Sequence, residues 1–418
     1  MSACDDETRE FRLKAIGGLS EITRERWDAM ANPGWRLSPT GTLAAALESE
    51  SQRVDSISPE TEFNPFISHD FLSILEDSGC VGQAAGWLPQ HLVLEDPDGE
   101  PVAALPCYLK SHSMGEYVFD HAWADAYERA GGHYYPKLQC SVPFTPASGR
   151  RFLTSRKIDR NAAIAALSGG LRDLCRLRQA SSAHITFMTQ AEWDVAGAEG
   201  YLQRLDQQFH WHNRGYADFD GFLGDLASRK RKQIRKERRE ALGSGIDVEC
   251  LTGADIGEHH WDAFHAFYED TGARKWGRPY LNRHFFSLLG ERLGERVLLV
   301  MARREGRYIA GALNLIGSHA LFGRNWGCLE DHPFLHFEVC YYQAIDFAIA
   351  NGLARVEAGA QGAHKLARGY LPAVTRSAHY IAHPGLRDAV EDYLSRERRA
   401  VERESAVIAT EYTPFRKG

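Results

Sequence analysis

The chain contains the same helix–hairpin unit twice, and this duplication limits its fold more than any other feature. FISHDFLSIL (66–75) aligns with YLNRHFFSLL (280–289) at a separation of 214, and both segments have helical periodicity. LVLEDPDGEPVAALPCYLKSH (92–112) aligns with LVMARREGRYIAGALNLIGSH (299–319) at a separation of 207. Each of these reads as apolar strand, tight glycine turn and apolar strand, ending in Ser-His. Any β-hairpin that follows a helix has a similar pattern, but here order, spacing and the final Ser-His all agree.

Both halves then continue with a helix that leads into a strand. NAAIAALSGGLRDLCRLRQ precedes AHITFMT, and EVCYYQAIDFAIANG precedes ARVEAGA. We therefore predict a duplicated α/β (α+β) fold in which a mixed, mainly antiparallel sheet is flanked by helices. The predicted divisions are an N-terminal segment of the first domain (1–62), the first domain (63–217), a connecting helix (218–245), the second domain (246–385) and a C-terminal helix and tail (386–418).

Composition excludes several classes of protein. The 418 residues suit two domains, and the apolar and charged fractions of 44% and 25% are those of an ordinary globular protein. A net charge of -7 argues against a polycation built for nucleic acid, and no DNA partner is expected. The sequence lacks an apolar run long enough to span a bilayer, and its N-terminus lacks a signal-peptide core. Eight cysteines without a CxxC pair indicate reduced thiols, so we expect a soluble cytoplasmic protein.

The segment between the halves, 218–251, predicts one long basic amphipathic helix. Leu223, Leu226, Ile234 and Leu242 fall near one helical face, and the helix is expected to end at Gly243. The opposite face carries the candidate phosphate- or headgroup-binding residues Arg229, Arg231, Lys232 and Arg235. They suit tRNA phosphates, a coenzyme A phosphate, the anionic inner face of the cytoplasmic membrane, or simply solvent. Because no aromatic residues alternate with them to stack on bases, tRNA is the weaker of these alternatives.

Three further blocks carry a family resemblance. WADAYERAGGHYYPKLQCSVPFTP (123–146), HFEVCYYQAIDF (336–347) and EAGAQGAHKLARG (357–369) look like the FemAB-like family of predicted N-acyltransferases. RKRKQIRKERREALGSGIDV also resembles a basic segment of FemAB-type ligases, and the resemblance covers roughly residues 63 to 415. It implies two tandem GNAT-like domains and acyl transfer to a primary amine.

The resemblance leaves the donor open. FemAB ligases use aminoacyl-tRNA and act on a peptidoglycan precursor, whereas some FemAB-like members are tied to bacterial ceramide synthesis from an acyl-CoA. The usual pyrophosphate loop of the superfamily is not clearly present, and PASGRR (146–151) does not fit its pattern. We expect no permanently bound cofactor, and an acyl-CoA or other acyl thioester as co-substrate.

The block VEAGAQGAHKLARGY (356–370) holds the main catalytic candidates. Acyl transfer needs a base to deprotonate the incoming ammonium, and Glu357 at a strand end, with a pKa expected to be raised by burial, or His364 can serve. Glu357 can equally be a structural carboxylate bound to Arg368 or to backbone amides. Gln361, Lys365 and Arg368 are predicted to bind substrate, the last two through a phosphate or carboxylate group.

The block HPFLHFEVCYY (332–342) spaces His332 and His336 as a metal-binding pair on a helix would be spaced. Pro333 lies between them and no glutamate follows His332, so a helix start is favoured over a metal site, and no metal is predicted. Glu338 is expected to act in catalysis and Tyr341 to bind substrate, both facing the cleft.

The other candidate substrate-binding residues lie in two aromatic segments. Arg324 and Trp326 alternate within one strand and are expected on the same side. The block 117–137 is dense in aromatic residues and suits a ligand with an apolar body and a polar head, although a half-buried hairpin would look similar. Its candidates are Trp123, Tyr127, Tyr134 and Lys137.

The function implied by the resemblance is N-acyl transfer. The favoured version moves a long-chain acyl group from acyl-CoA to a sphingoid-type amine. The alternatives are an aminoacyl-tRNA-dependent ligase that acts on a peptidoglycan precursor, and a non-catalytic protein that binds peptidoglycan.

Overall fold

The computed structural model describes residues 10–46, 62–243, 245–275, 279–359 and 362–416. The strands are β1 (Arg12–Ile16), β2 (Trp35–Leu37), β3 (Leu43–Ala45), β4 (Trp87–Pro89), β5 (His91–Glu95), β6 (Pro101–Leu105), β7 (Tyr108–Lys110), β8 (Lys137–Cys140), β9 (Leu153–Thr154), β10 (Ser182–Ile185), β11 (Leu202–His212), β12 (Ile246–Leu251), β13 (Val297–Arg304), β14 (Arg307–Ile316), β15 (Ala320–Cys328), β16 (Arg355–Glu357) and β17 (Leu371–Ile381). The helices are α1 (Arg24–Ala31), α2 (His69–Asp77), α3 (His121–Arg129), α4 (Arg160–Leu177), α5 (Gln190–Ala198), α6 (Phe219–Asp225), α7 (Ser228–Leu242), α8 (Glu258–Lys275), α9 (Arg283–Leu293), α10 (Leu335–Phe337), α11 (Gln343–Ala350) and α12 (Pro384–Glu411).

Each half of the chain contains the same run of elements, as the duplicated sequence predicts. In the first half, α2 precedes the antiparallel hairpin β5–β6, and α4 then connects the parallel strands β8 and β10. In the second half, α9 precedes the hairpin β13–β14, and α10 and α11 connect the parallel strands β15 and β16. The fold is therefore mixed α/β, with mainly antiparallel sheets flanked by helices, and the predicted fold class is confirmed.

Most strands belong to one sheet that runs through both halves. Its order is β12-β13-β14-β15-β16-β11-β17-β10-β8-β7-β4, while β1-β5-β6-β9 form a smaller sheet and β2-β3 a separate hairpin. The parallel pairs β15/β16 and β8/β10 therefore flank the two long central strands β11 and β17.

The two central strands are exchanged between the halves. β11 ends the first half of the chain, yet it pairs with β16 of the second half, placing His210 opposite Glu357. β17 comes near the end of the second half, yet it pairs with β10 of the first half. The two strands also pair with each other, Leu202–His210 against Leu371–His379. Each half thus completes its hydrogen-bonded sheet with a strand from the other half.

The helices α2 and α9 meet at equivalent residues. The side chain of Ser68 caps α2 at the amide of Phe71, and that of Asn282 caps α9 at the amide of Phe285. Phe71 and Phe285 are separated by 214 residues, the same offset as in the sequence alignment. Their rings contact each other edge to face, with centroids 6.1 Å apart. The duplicated helices therefore pack against each other and build one apolar core across the halves.

The connecting segment is two helices, so the prediction of one long helix is wrong. Leu226 separates α6 from α7 in an extended conformation, and it bridges to Phe415 while Ala227 N donates to the carbonyl of Pro414. The backbone N–H of Ala227, which would bond within a continuous helix, thus bonds to the C-terminal tail instead. As predicted, α7 ends at Gly243.

The C-terminal helix is less solvated than its charge suggests. Leu386, Val390 and Leu394 of α12 are buried where the helix packs on β11 and β17.

The domain boundaries proposed from the sequence stay a prediction. In the segment 32–66, β2 and β3 form a hairpin, and 47–61 lie outside the described residues.

The seven cysteines in the described part of the chain are free thiols. No helix within the described ranges is both long and apolar enough to cross a membrane.

We expect Phe71→Ala and Phe285→Ala each to lower the free energy of unfolding by about 3–5 kcal/mol, because each substitution opens a cavity in the shared core. Since the two rings touch, the double variant should lose less than the sum of the single losses, by about 0.5–1.5 kcal/mol. Chemical denaturation monitored by circular dichroism measures these losses in the free energy of unfolding. Phe11→Ala, at a ring that is 55% exposed, is the control. Strict additivity of the two core losses would contradict a direct contact between the helices.

Candidate functional site

The candidate site lies where two parallel strands diverge. β15 and β16 pair from Ala320 to Phe322 and from Arg355 to Glu357, after which β16 ends and β15 continues to Cys328. The chain that follows β16 returns through a 3-10 turn at Ala363–Arg368 before β17 begins. A parallel pair that separates in this way opens a cleft at the carboxyl ends of its strands, where ligands of α/β proteins commonly bind.

Two glycines allow the loop to take this path. Gly362 and Gly369 have φ of 120° and 91°, in the region that other residues rarely adopt. A Cβ atom at Gly369 would lie 2.6 Å from the ring of Phe222. The glycines in this block therefore meet conformational needs, and Gly369 also allows a close approach.

Lys365 closes the loop upon itself. Its side chain is 2% exposed, and Nζ donates to the carbonyls of Ala358 (2.6 Å) and Gly359 (2.9 Å). Burial lowers its pKa to about 8. These contacts correct the prediction that Lys365 binds an anionic substrate group, because its ammonium is already engaged with backbone oxygens.

Arg368 is also committed to the interior. Nη2 donates to both carboxylate oxygens of Glu237 on α7 at 2.9 Å, and Nη1 donates to the carbonyl of His364 at 2.7 Å. The guanidinium lies 3.4 Å from the ring centroid of Phe337. Arg368 therefore anchors the loop to α7, and its carboxylate partner is Glu237 and not Glu357.

Among the described side chains of this loop, that of His364 is exposed. Its Nε2 lies 2.9 Å from the hydroxyl of Tyr341, and the rings of His336 and Phe337 pack beside it. Burial, together with the positive charges of Arg368 and Lys365, lowers the pKa of His364 below its ordinary value of 6.5. The imidazole is therefore mostly neutral at physiological pH and able to accept a proton.

The residues around His364 come from a distorted stretch of helix. Glu338–Tyr342 form a π-helical turn between α10 and α11, and Phe334 just before α10 has a left-handed φ of 63°. Such π-turns and strained residues occur often at functional sites. The sequence suggests His336 only as a possible metal ligand and does not single out Phe337. In the aromatic run HFEVCYY, His336 and Phe337 precede Tyr341 by five and four residues, so helical periodicity places both near it.

Glu338 is not in the cleft, which corrects its assignment as a catalytic residue. It is fully buried, and Arg238 donates to it from Nε (3.1 Å) and Nη2 (2.9 Å). Gln343 donates a further hydrogen bond at 2.8 Å. The carboxylate therefore secures the π-turn to α7.

Glu357 is likewise held in a buried ion pair. Its Oε1 accepts from Nε of Arg355 at 2.8 Å, and Oε2 lies 3.8 Å from Nε2 of His210 on the exchanged strand β11. Burial raises the pKa of Glu357, but attraction to His210 and Arg355 outweighs it and the net shift is downward. The expected raised pKa is therefore wrong, because the carboxylate is not alone.

The predicted pair Arg324 and Trp326 is split by a β-bulge. Gly323 faces Asn314 and Asn325 faces Leu313, so Arg324 is the extra residue in β15. Arg324 consequently donates to the carbonyl of Phe144 in the first half. Trp326 lies on the other side, with its ring centroid 5.1 Å from that of His336. Trp326 therefore joins the His364 group and Arg324 does not.

The four candidates from the aromatic block of the first half form a separate cluster. Nζ of Lys137 lies 2.5 Å from Asp120, and the hydroxyl of Tyr134 donates to the same carboxylate at 2.8 Å. Trp123 is 6% exposed and packs edge to face on His379, while Tyr127 packs on His383. These side chains, two of them on α3 itself, form a mostly buried cluster and not the expected amphipathic surface for a ligand.

The remaining candidate, Gln361, lies outside the described residues.

The helix α7 lies beside the site because Glu237 and Arg238 tie it to the loop and to the π-turn. Arg229 and Lys232 are exposed, and Arg231 is half-buried. Arg235 is exposed and pairs with Asp220 at 2.7 Å. The predicted cations therefore lie on α7, the helix that Glu237 connects to the His364 loop. Across the described ranges, no group of three or more His, Cys, Asp or Glu side chains is arranged to hold a metal ion, and His332 pairs with Glu330.

We expect Glu237→Gln to destabilise the protein by about 3–5 kcal/mol, because it leaves the buried charge of Arg368 without its partner. Glu240→Gln, one turn further along α7, is the matched control. Its partner Lys236 is exposed, so its loss should cost less than about 1 kcal/mol. Thermal unfolding of both variants tests this, and equal melting temperatures would show that the Arg368–Glu237 pair does not anchor the loop.

Comparison with known proteins relates the chain to one family. Residues 18–417 match the model of the FemAB-like family, described as peptidoglycan biosynthesis/recognition. No curated protein matches the chain.

Several solved structures resemble this one at low identity. A tandem GNAT protein from the clavulanic acid biosynthesis pathway is 12% identical, with coverage of 90% of this chain and 99% of that chain and a TM-score of 0.44. FemX is 13% identical, with coverage of 74% and 92% and a TM-score of 0.47. L-PGS from Bacillus licheniformis is 9% identical, with coverage of 80% and 97% and a TM-score of 0.48.

Proposed function

Because the chain belongs to the FemAB-like family, described as peptidoglycan biosynthesis/recognition, we propose that it transfers an acyl or aminoacyl group from an activated carrier to a primary amine. The observation that carries this proposal is the exposed imidazole of His364, hydrogen-bonded to Tyr341 where β15 and β16 diverge and close to α7, with a pKa lowered by burial and by nearby cations. The family match supports an acyl or aminoacyl transferase in general terms, and the residue roles and substrates are our proposal.

In the proposed mechanism His364 is the general base. With Nε2–H donating to the oxygen of Tyr341, Nδ1 carries the lone pair that removes a proton from the acceptor ammonium. Burial raises the pKa of Tyr341, so its phenol stays protonated and holds the ring in place. The amine nitrogen then attacks the acyl carbonyl, a C–N bond forms, and the ester or thioester bond to the carrier breaks. The attacking nitrogen loses a second proton as the tetrahedral intermediate collapses. The leaving oxygen or sulfur takes up one of the two protons, and the other passes to solvent, which returns the base to its neutral state.

Of the two bases considered from the sequence, the geometry favours His364. Glu357 is 3% exposed and paired with Arg355, so a substrate ammonium would have to displace a buried ion pair to reach it. His364 is on the exposed side of the loop and needs no such displacement.

The basic face of α7 suits a carrier that bears phosphates. Coenzyme A and tRNA both do, so α7 alone does not separate a long-chain acyl-CoA donor from an aminoacyl-tRNA donor. The aromatic wall of Trp326, His336 and Phe337 beside His364 favours an apolar acyl chain, which would be delivered to a sphingoid-type amine. The family description favours the second version, an aminoacyl group delivered to a peptidoglycan precursor. Contact of α7 with anionic membrane lipid is a further proposal.

We expect His364→Ala to reduce kcat/KM by about 100-fold or more, and Tyr341→Phe by a smaller factor, because the first removes the base and the second only its hydrogen bond. Palmitoyl-CoA with sphinganine, and aminoacyl-tRNA with a peptidoglycan precursor, are the two substrate pairs to assay by mass spectrometry. His121→Ala, at an exposed histidine of α3, is the control. Product from neither pair would contradict both proposed versions and favour a protein that only binds peptidoglycan.

The pH dependence gives a second check on the base. Because the pKa of His364 is lowered from 6.5, the imidazole is still mostly neutral at pH 6.5 and becomes protonated only at lower pH, so the acidic fall of kcat/KM should lie below pH 6.5. If activity were instead lost on acidification already well above pH 6.5, the proton would be accepted by another group.

We expect replacement of Arg229, Arg231 and Lys232 by glutamine to raise KM for the carrier at least tenfold with little change in kcat, because these cations would bind its phosphates before and during reaction alike. The matched control replaces Arg396, Arg399 and Arg403, exposed on α12, by glutamine. Added salt should weaken carrier binding to the wild type and hardly affect the α7 variant. An unchanged KM would remove α7 from the proposed donor site.

A further inference from the structure

A cleft of about 320 Å³ lies next to the proposed base, and the mechanism above does not use it. Its walls come from the end of α8, the end of β15, the turn that follows β15, and α10. Trp326 and His336, whose ring centroids are 5.1 Å apart, both line the cleft. The ring centroid of His336 is in turn 6.2 Å from that of His364. The cleft therefore adjoins the proposed base on the side of β15.

The cleft has an apolar interior and a polar rim. Leu335 is buried, and Trp326 and Cys328 are half-buried. Asp331 and Arg274 are exposed at the rim. A water molecule occupies about 30 Å³ in the liquid, so the cleft has room for about ten waters, or for a group of about ten non-hydrogen atoms. This volume suits a polar head with its first methylenes better than a whole lipid or a nucleotide.

Two charged side chains of the lining are already neutralised by neighbours outside it. Glu330 pairs with Arg304, the carboxylate oxygen lying 3.1 Å from the guanidinium nitrogen. Arg274 pairs with Asp270 and donates from Nη2 to the carbonyl of Cys328 at 2.7 Å. A ligand would have to replace an existing contact to use either charge.

Asp331 differs from these two side chains. It forms no ion pair with another residue in the described part of the chain, so the cleft has a residual negative charge. Its carboxylate attracts a cation that it need not touch, because screening at physiological ionic strength acts over about 8 Å. The face of an indole ring attracts cations as well, and Trp326 supplies one. Both features favour an ammonium group in the cleft.

The proposed base needs such a counter-charge nearby. Lys365 and Arg368 lie close enough to His364 to lower its pKa, so they also repel an approaching ammonium. Glu237 balances the charge of Arg368, whereas Lys365 donates to backbone carbonyls. A carboxylate on the open side of the group offsets this repulsion.

We propose that this cleft receives the ammonium end of the acyl acceptor, which lies on the ring of Trp326 and is attracted by Asp331. The inference rests on the proposed acyl transfer and deepens it, because it assigns the acceptor to the β15 side of His364. The ligand class is a primary alkylammonium, which a sphingoid base and the amine of a peptidoglycan precursor share. Trp326 and Asp331 bind the acceptor, and neither moves a proton. Phe337 does not line the cleft and remains beside His364 for the acyl group.

The first test measures binding to the full chain by saturation-transfer NMR. Its probes are n-hexylamine, an ammonium ion at neutral pH, and 1-hexanol, its uncharged analogue. We expect wild-type protein to bind hexylamine about tenfold more tightly than hexanol, because the charge and the indole face both favour the cation. Asp331→Asn should weaken hexylamine binding about threefold and leave hexanol binding unchanged.

Further variants check the two contacts separately. Asp331→Glu keeps the charge and should retain the preference for hexylamine. Trp326→Leu should also weaken hexylamine binding about threefold. Asp388→Asn is the matched control, because Asp388 is an exposed aspartate of α12 that does not line the cleft. Equal affinity for hexylamine in the wild type, Asp331→Asn and Trp326→Leu would overturn the inference.

The second test uses the acyl-transfer assay with sphinganine and with the peptidoglycan precursor as separate acceptors. The acceptor that yields product identifies the source of the amine. For that acceptor, Asp331→Asn should raise KM about threefold, with kcat and the KM of the donor nearly unchanged. An increase confined to the KM of the donor would place the donor in the cleft and overturn the inference.

The two tests separate this inference from the proposed function. Turnover by the wild type with hexylamine binding that is indifferent to Asp331 and Trp326 would overturn the inference and leave the proposed function standing. Hexylamine binding that depends on both residues, without product from either acceptor, would support the ammonium site and contradict the proposed function.

Discussion

The exchange of β11 and β17 is the constraint on which the rest of the structure depends. Each strand leaves its own half and supplies hydrogen bonds to the other, so the central sheet has no internal edge where the halves could part. The register of β11 against β16 places His210 beside Glu357, and that of β17 against β10 places His379 beside His184. Side chains that are distant in sequence become neighbours inside the sheet for this reason alone.

The same exchange governs the candidate site indirectly. The loop from Ala358 to Tyr370 connects β16 to β17, and its two ends are therefore fixed on either side of β11. Within that span the loop is closed by Lys365 and anchored to α7 by Arg368. Because Lys365 and Arg368 point inward, His364 is the titratable side chain of the Ala363–Arg368 turn that lies beside Tyr341. Rigid support of this kind suits a base that must meet a substrate in one position.

Much of the architecture was predictable because periodicity and turn residues are local. The duplicated helix and hairpin and the end of α7 at Gly243 follow from patterns within about a dozen residues. The break between α6 and α7 was not predictable, because it depends on Pro414 and Phe415 from the far end of the chain. The bulge at Arg324 was missed because strict alternation leaves no room for an extra residue, and it sends Arg324 and Trp326 to different sides.

The sequence by itself determined the duplicated mixed α/β fold, the family resemblance and the block in which His364 lies. Only the tertiary structure decided which charged residues of that block are free to act. Glu338, Glu357, Lys365 and Arg368 all looked like site residues, yet each is engaged within the protein. Glu338 and Arg368 pair with residues of α7, Glu357 pairs with Arg355 of its own strand, and Lys365 donates to backbone carbonyls of its own loop. A buried charge must be paired or hydrogen-bonded to be tolerated, and its partner is set by three-dimensional packing. Spacing along the chain cannot distinguish a charge that is paired in this way from one that faces a substrate.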